Sequence, residues 1–374
     1  MNYNDLIEGK KNYNLIVSPD QCSSVAGLST TKNVVLVNML NNVKSEFYKF
    51  TWNGKWEKER IDVPEYGNIT LAASDEKSEN YFFYFQNFLK PSTLYFGDAK
   101  TGEFKKVKSL PSFFPTEKYQ VQQFEAVSKD GIKVPYFVVS SKNIKYDGNN
   151  PTLVYAYGGF EVSVLPYYSA VTGTAWLEKG GVYVLANLRG GGEFGPKWHQ
   201  AGIKENRQRV FDDFYAVAEN LIHKKITTPK KLGIMGGSNG GLLVGVAFTQ
   251  CPDLYNAVVC ENPLLDMKRY NKLLAGASWM AEYGNPDISE DWAYISKYSP
   301  YQNVKKDMNF PEVFFTTTTP DDRVHPAHAR KMAAKMHDLG YKIYFFENTE
   351  GGYAAGSTNE QRAKLNALIF VICN

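Results

Sequence analysis

The run Gly236-Gly237-Ser238-Asn239-Gly240-Gly241 carries the clearest chemical signal in the chain. It stands between the apolar stretches Leu232-Gly233-Ile234-Met235 and Leu242 to Ala247, so a strand, a sharp turn and a buried helix are expected in that order. A G-x-S-x-G turn between strand and helix lifts a serine hydroxyl to the top of a sheet and clears side chains from around it. Ser238 is therefore the candidate nucleophile, and the chemistry is acyl transfer. A serine hydroxyl attacks poorly until a base takes its proton and an acid orients that base. In α/β-hydrolases the partners follow the serine in the order Asp, His. Asp321 comes directly after the strand pattern Val313 to Thr317 and the pair Thr319-Pro320, where an orienting acid belongs. Its neighbour Asp322 is an equal candidate on these grounds.

The elements that must position these residues begin near residue 120. Ile132 to Val139 alternates as a strand, Thr152 to Tyr157 is an apolar run ending at Gly158-Gly159, and Gly181 to Ala186 leads into the loop Arg189-Gly190-Gly191-Gly192-Glu193. Phe211 to Leu221 has helical spacing, with Asp212 and Asp213 suited to a helix N-terminus. Ala257 to Cys260 and Val313 to Thr317 read as strands, Pro326 to about Leu339 as a helix closed by Gly340, and Lys342 to Phe346 as the last strand. Apolar strands alternating with helices predict a mostly parallel, doubly wound α/β sheet, with ligands beyond the carboxyl ends of its strands.

Before about residue 112 the grammar is different. Val34 to Val37, Glu46 to Phe50 and the turn Asn53-Gly54 form one unit; Tyr81 to Phe85, Thr93 to Phe96 and the turn Thr101-Gly102 form a second. The units lie roughly 47 residues apart, the spacing of β-propeller blades made of hairpins. The expected organisation is an all-β remnant of about two blades over residues 1–114 and a catalytic domain over residues 115–374. An open blade edge recruits other strands, so self-association through it is expected.

Composition excludes several functions. The net charge is +3 with no basic stripe, which argues against a nucleic-acid partner. No apolar stretch reaches the length of a membrane span, and the polar start Met1-Asn2-Tyr3-Asn4-Asp5 lacks the features of a signal peptide. The four cysteines, Cys22, Cys251, Cys260 and Cys373, show neither metal-ligand nor redox spacing and read as reduced thiols. The expectation is a cytoplasmic protein without metal or cofactor. Aromatic content of 14% suits a strand-rich architecture.

Residues from about 115 to 370 resemble the catalytic domain of the prolyl oligopeptidase family of serine peptidases. The matching segments are Tyr157-Gly158-Gly159-Phe160, Asn187-Leu188-Arg189-Gly190-Gly191-Gly192-Glu193, Gly236 to Leu243, and Asp321-Asp322-Arg323-Val324. The resemblance implies an α/β-hydrolase fold preceded by propeller blades, and cleavage of short peptides after proline. It implies Ser238 as nucleophile, selects Asp321 as the acid, and assigns the oxyanion donors to the amide of Asn239 and the phenol of Tyr157. It also implies that Trp279 stacks on a substrate proline ring beside Phe160, Tyr283 and Val324, and that Arg323 grips a substrate carbonyl. Read without the family, Trp279 and Phe160 are ordinary core aromatics and Arg323 a solvated or salt-bridged cation.

One position departs from the family. Its pattern after the last strand is Gly-Gly-His or Gly-His followed by small residues, whereas this chain reads Gly351-Gly352-Tyr353-Ala354-Ala355-Gly356. Tyr353 thus occupies the place of the triad base, and a phenol holds its proton at neutral pH. Of the five histidines, only His325 lies close in sequence to the acid, just before the Pro326 helix, where packing or capping is its ordinary role. The expectation is a prolyl oligopeptidase-like endopeptidase with strongly impaired turnover. The alternative is a catalytically inactive, peptide-binding pseudo-peptidase, and a non-peptidase esterase would lack the same base.

Overall fold

The computed structural model describes residues 3–353 and 358–373, and the chain divides into two compact units. The first comprises Met1–Asn87 and Ser92–Leu110, the second Phe88–Pro91 and Pro111–Asn374.

The first unit is two four-stranded antiparallel sheets. One holds β1 (Ser23–Thr30), β2 (Val34–Asn41), β3 (Lys44–Trp52) and β4 (Trp56–Ile61), and the other β5 (Asn68–Ser74), β6 (Asn80–Gln86), β7 (Thr93–Asp98) and β8 (Phe104–Ser109). Alternate residues of the inner strands point to a shared core, in which Phe47 meets Tyr81 and Phe83 at ring-centroid distances of 5.7 and 5.4 Å. The inner strands β2, β3, β6 and β7 are those the sequence pattern predicts. The four outer strands escape that pattern because their side chains are half exposed: β8, Phe-Lys-Lys-Val-Lys-Ser, presents no alternation to read.

The second unit is built on an eight-stranded sheet containing β9 (Tyr119–Val127), β10 (Lys133–Ser141), β11 (Thr152–Ala156), β12 (Val182–Ala186), β13 (Leu232–Gly237), β14 (Ala257–Glu261), β15 (Glu312–Thr318) and β16 (Ile343–Asn348), in the order β16-β15-β14-β13-β11-β12-β10-β9. The pairings from β16 through β12 are parallel; β10 joins β12 and β9 in antiparallel fashion. This is the α/β-hydrolase sheet expected from the alternation of strands and helices, preceded by two blade-like sheets. Both faces are covered, and the strands show it residue by residue. Val258, Cys260, Val313 and Phe315 face one core, shared with helices α1 (Gln208–His223), α2 (Asn239–Gln250) and α3 (Ala327–Asp338). Their intervening neighbours Val259 and Phe314 face the other core, under Leu365 and Ile369 of helix α4 (Asn359–Cys373). Period-two alternation between two apolar cores is what makes these strands read as continuous apolar runs.

Helix α1 starts at Gln208, ahead of the predicted start, and Asp213 lies inside it rather than at its N-terminus. That carboxylate is fully buried and receives Arg189 Nε at 2.9 Å and the Arg189 amide at 3.1 Å, so it pins the Arg189 loop at the carboxyl end of β12. Among the described residues, no helix is long and apolar enough to cross a membrane.

Candidate active site

The turn between β13 and α2 is the sharpest element of the site. Ser238 adopts φ 58° and ψ −116°, a left-handed conformation that costs an L-residue energy and persists only where its surroundings impose it. They do so through hydrogen bonds: the Ser238 amide donates to the carbonyl of Glu261 at 2.9 Å, and the Leu242 amide donates to the Ser238 carbonyl at 3.1 Å. The glycines follow from the same crowding. A Cβ on Gly236 would sit 2.3 Å from the carbonyl oxygen of Gly240, and one on Gly241 would meet Pro263 at 2.7 Å.

The phenol of Tyr157, the residue that follows β11, stands near enough to the Ser238 hydroxyl to interact with it electrostatically. Burial, chiefly, and the nearby Tyr353 phenol raise the Tyr157 pKa above its ordinary value. Tyr157 therefore stays protonated, the state in which it can donate to a developing oxyanion. Asn239 opens helix α2 and is fully buried. Its backbone amide is one of the N–H groups at a helix N-terminus that have no partner within the helix, and these favour negative charge.

Asp321, after β15, is 5% exposed, whereas its neighbour Asp322 is exposed. Oδ1 of Asp321 accepts from the amides of Arg323 at 2.8 Å and Val324 at 2.9 Å. Oδ2 is buried and has no hydrogen-bond partner among the described residues. Burial, the leading cause, raises the carboxyl's pKa, and the two amides pull it back. Such a carboxylate, held on one oxygen and open on the other, has the form of a group that orients an N–H donor.

Tyr353 lies in this neighbourhood. Its carbonyl accepts from Asn262 Nδ2 at 2.7 Å, and its ring lies 4.6 Å from the guanidinium carbon of Arg323. None of the histidines is hydrogen-bonded to Ser238 or Asp321 among the described residues. His199 Nε2 lies 2.7 Å from Glu282 Oε2. His325 Nδ1 accepts from the Ala327 amide at 3.0 Å, the capping role expected of it. His328 is buried, with Nδ1 accepting from the Leu265 and Asp266 amides, and burial lowers its pKa to about 4. His223 and His337 are exposed.

The residues expected around a proline pocket fall into two groups. Phe160, with φ 57°, and Trp279 are partly buried and pack on the edge of the main core. Tyr283 and Val324 lie wholly beneath the surface. Tyr283 meets Phe160 edge-on at 5.6 Å and donates its hydroxyl to Asn239 Oδ1 at 2.7 Å, so it supports both Phe160 and the turn from below. Sequence reasoning missed Arg207, Glu282 and Asn262. No local signal marks them: Arg207 is one of several polar residues in the run Lys204 to Arg209, Asn262 follows Glu261, and Glu282 stands alone between Ala281 and Tyr283. Among the described residues, no group of three or more His, Cys, Asp or Glu side chains is arranged to hold a metal ion.

A serine at a strand-to-helix turn above a mostly parallel sheet, with a buried carboxylate after a later strand, is the arrangement of the α/β-hydrolase class. Within that class the chain belongs to the prolyl oligopeptidase family, whose profile matches residues 167–370; the profile of the prolyl oligopeptidase N-terminal β-propeller domain matches residues 7–109. An uncharacterized peptidase of Sinorhizobium fredii is 52% identical over 358 residues, covering 96% of this chain and 49% of that protein. A prolyl endopeptidase of Elizabethkingia meningoseptica is 37% identical over 84% of this chain and 45% of its own length. The solved structure of a post-proline cleaving enzyme from Rickettsia typhi superposes with a TM-score of 0.91 at 41% identity, covering 98% of this chain and 54% of that one. The chain thus spans about half the length of the curated relatives it matches.

Proposed function

We propose that the chain carries the site of a prolyl oligopeptidase-like endopeptidase that binds short peptides with proline before the scissile bond, and that its turnover is strongly impaired by Tyr353. Ser238 Oγ would attack the peptide carbonyl carbon, and the oxyanion so formed would be received by the Tyr157 phenol and the Asn239 amide. The reaction needs an acceptor for the Ser238 proton, which must later pass to the leaving amine. The observation that carries the proposal is the pairing of a buried Asp321, open on Oδ2 among the described residues, with Tyr353 under Arg323 and no imidazole on either Ser238 or Asp321. Loss of the triad histidine costs on the order of 10⁶ in turnover, while the oxyanion donors and binding retain some catalysis. The proline preference rests on the relatives named prolyl endopeptidase and post-proline cleaving enzyme and on the aromatic groups Phe160 and Trp279. A peptide-binding pseudo-peptidase is the second reading, favoured by the Arg323–Tyr353 stack, which occupies the cation expected to grip substrate.

The test compares blocked Gly-Pro and Gly-Ala anilides on the native chain and on Tyr353→His, with a fluorophosphonate to count reactive serine. Activity in the histidine chain confined to Gly-Pro supports the proposal; equal cleavage of both substrates removes the proline assignment. Full turnover by the native chain removes the impairment. Peptide binding without turnover in either chain supports the second reading.

We take residues 1–114 as the propeller-derived domain and 115–374 as the peptidase domain, in keeping with the two profile matches. Four unpaired cysteines support a reducing compartment such as the cytoplasm. The outer strands of the two blade sheets support self-association, which a single monomeric species in sedimentation across a wide concentration range would exclude.

A further inference from the structure

We propose that Arg207 and Glu282 are positioning residues for the oxyanion hole, acting through the side chain of Asn239. The inference rests on the reading of Tyr157 and the Asn239 amide as the two oxyanion donors.

Asn239 Nδ2 donates to the carbonyl of Tyr157 at 2.6 Å, so one buried side-chain amide ties the residue after the nucleophile to the residue carrying the phenol. Its Oδ1 accepts from the Tyr283 hydroxyl and from Arg207 Nη2. Arginine can only donate and a carbonyl can only accept, so the Asn239 amide has a single allowed orientation. Arg207 is itself fully buried, with its guanidinium carbon 5.1 Å from the centre of the Tyr283 ring, and Nη1 donates to Glu282 Oε1 at 2.8 Å. Glu282 is 4% exposed. The same Oε1 accepts from the Phe160 amide at 3.0 Å, where the backbone is left-handed, and Oε2 meets His199.

Four segments distant in sequence therefore meet at one ion pair: the loop after β11, the residue Arg207 ahead of α1, the nucleophile turn, and the short helix Met280–Tyr283. Stability alone does not account for this arrangement. Well-packed apolar residues often replace a buried ion pair without loss, because removing both charges also removes their desolvation cost. What apolar residues cannot do is hold the Asn239 amide in one orientation and fix the Tyr157 carbonyl relative to the turn. Oxyanion donors act only if they are held in place before charge develops.

The experiment uses the double variant Arg207→Met with Glu282→Gln, which removes both charges together, in the native chain and in the Tyr353→His chain. The readouts are affinity for a Gly-Pro boronic acid, whose serine adduct loads the oxyanion hole, affinity for a non-covalent Gly-Pro amide, and kcat and KM per fluorophosphonate-titrated serine. The expected result is a loss of about 10²-fold in kcat and in boronate affinity, with KM and amide affinity within threefold. A single Arg207→Lys change should fall nearly as far, since an ammonium lacks the fork that reaches both Asn239 and Glu282. Boronate affinity and kcat within threefold of the parent, with only a lower melting temperature, would overturn the inference and leave the pair structural. A parent Tyr353→His chain that binds no boronate would instead overturn the reading of the site itself, and the inference with it.

Discussion

Replacing Tyr353 with histidine should restore most of a peptidase. On the proposed reading the step that fails is proton transfer from Ser238, and loss of a triad base costs on the order of 10⁶ in turnover, or about 8 kcal/mol at 1.36 kcal/mol per decade. The remaining groups stand ready. The Tyr157 phenol is near the Ser238 hydroxyl, Asp321 Oδ1 is held by two amides, and Oδ2 is open among the described residues to receive an imidazole N–H. Removing the phenol also ends the stack with Arg323, an interaction of about 0.5–1 kcal/mol at an exposed site, which is less than one decade. The expected gain in kcat/KM on a blocked Gly-Pro anilide is therefore about 10⁵-fold or more. The variant's kcat/KM should also acquire a rising limb with an apparent pKa near ~6.5, reporting an imidazole that must be neutral to accept the proton, and the native chain should lack that limb. Stopped-flow or endpoint release of the anilide, normalised to fluorophosphonate-reactive serine, measures both. Rates within tenfold of each other for the two chains, at full serine titration of the variant, would refute the reasoning that the base alone limits the reaction.

Three further outcomes follow from the same geometry. In the Tyr353→His background, Tyr157→Phe should lower kcat by about 10²–10³ with little change in KM, since it removes one oxyanion donor; an equal rise in KM would point to a binding role. Gly236→Ala should abolish fluorophosphonate labelling, because its Cβ would meet the Gly240 carbonyl at 2.3 Å, whereas Gly237→Ala, whose Cβ would find only ordinary contacts at 3.7 Å, should label normally. Glu193 is buried, and burial pushes its carboxyl up to about 7 from 4.5. A carboxyl raised in the folded state favours folding fully below its unfolded value, and that advantage is lost as pH climbs through about 7. Glu193→Gln keeps an acceptor for the Val164 amide and should stabilise the protein at pH ~8 by up to about 3 kcal/mol, with the difference vanishing below pH ~4.5. Urea unfolding at the two pH values checks this, and a constant difference would contradict it.

The elements that position Ser238 were legible in the chain because most of what shapes them is local. The apolar run of β13, the glycines of the turn and the apolar start of α2 are contiguous; the crowding that demands glycine at 236 comes from Gly240 close by in sequence, although that at 241 comes from Pro263 after β14. The inner blade strands were legible for a similar reason: Tyr81, Phe83 and Phe85 alternate into the shared core. The edge strands β1, β4, β5 and β8, and β9 at the rim of the large sheet, were not, because pairing on one side leaves their side chains half in water and blurs the alternation.

The choice between Asp321 and Asp322 marks the boundary between the two kinds of information. The spacing after β15 admitted both; burial of the first and exposure of the second distinguish them. Arg207, Glu282 and Asn262 lay beyond the reach of sequence altogether. Arg207 and Glu282 are 75 positions apart and meet only because the fold brings the residue ahead of α1 against the Met280–Tyr283 helix. Periodicity and turn chemistry are written in neighbouring residues, so the chain alone determined the strands, the turn and the residue types able to react. Which polar groups would be desolvated and paired depends on contacts across the fold, and only the tertiary structure decided those.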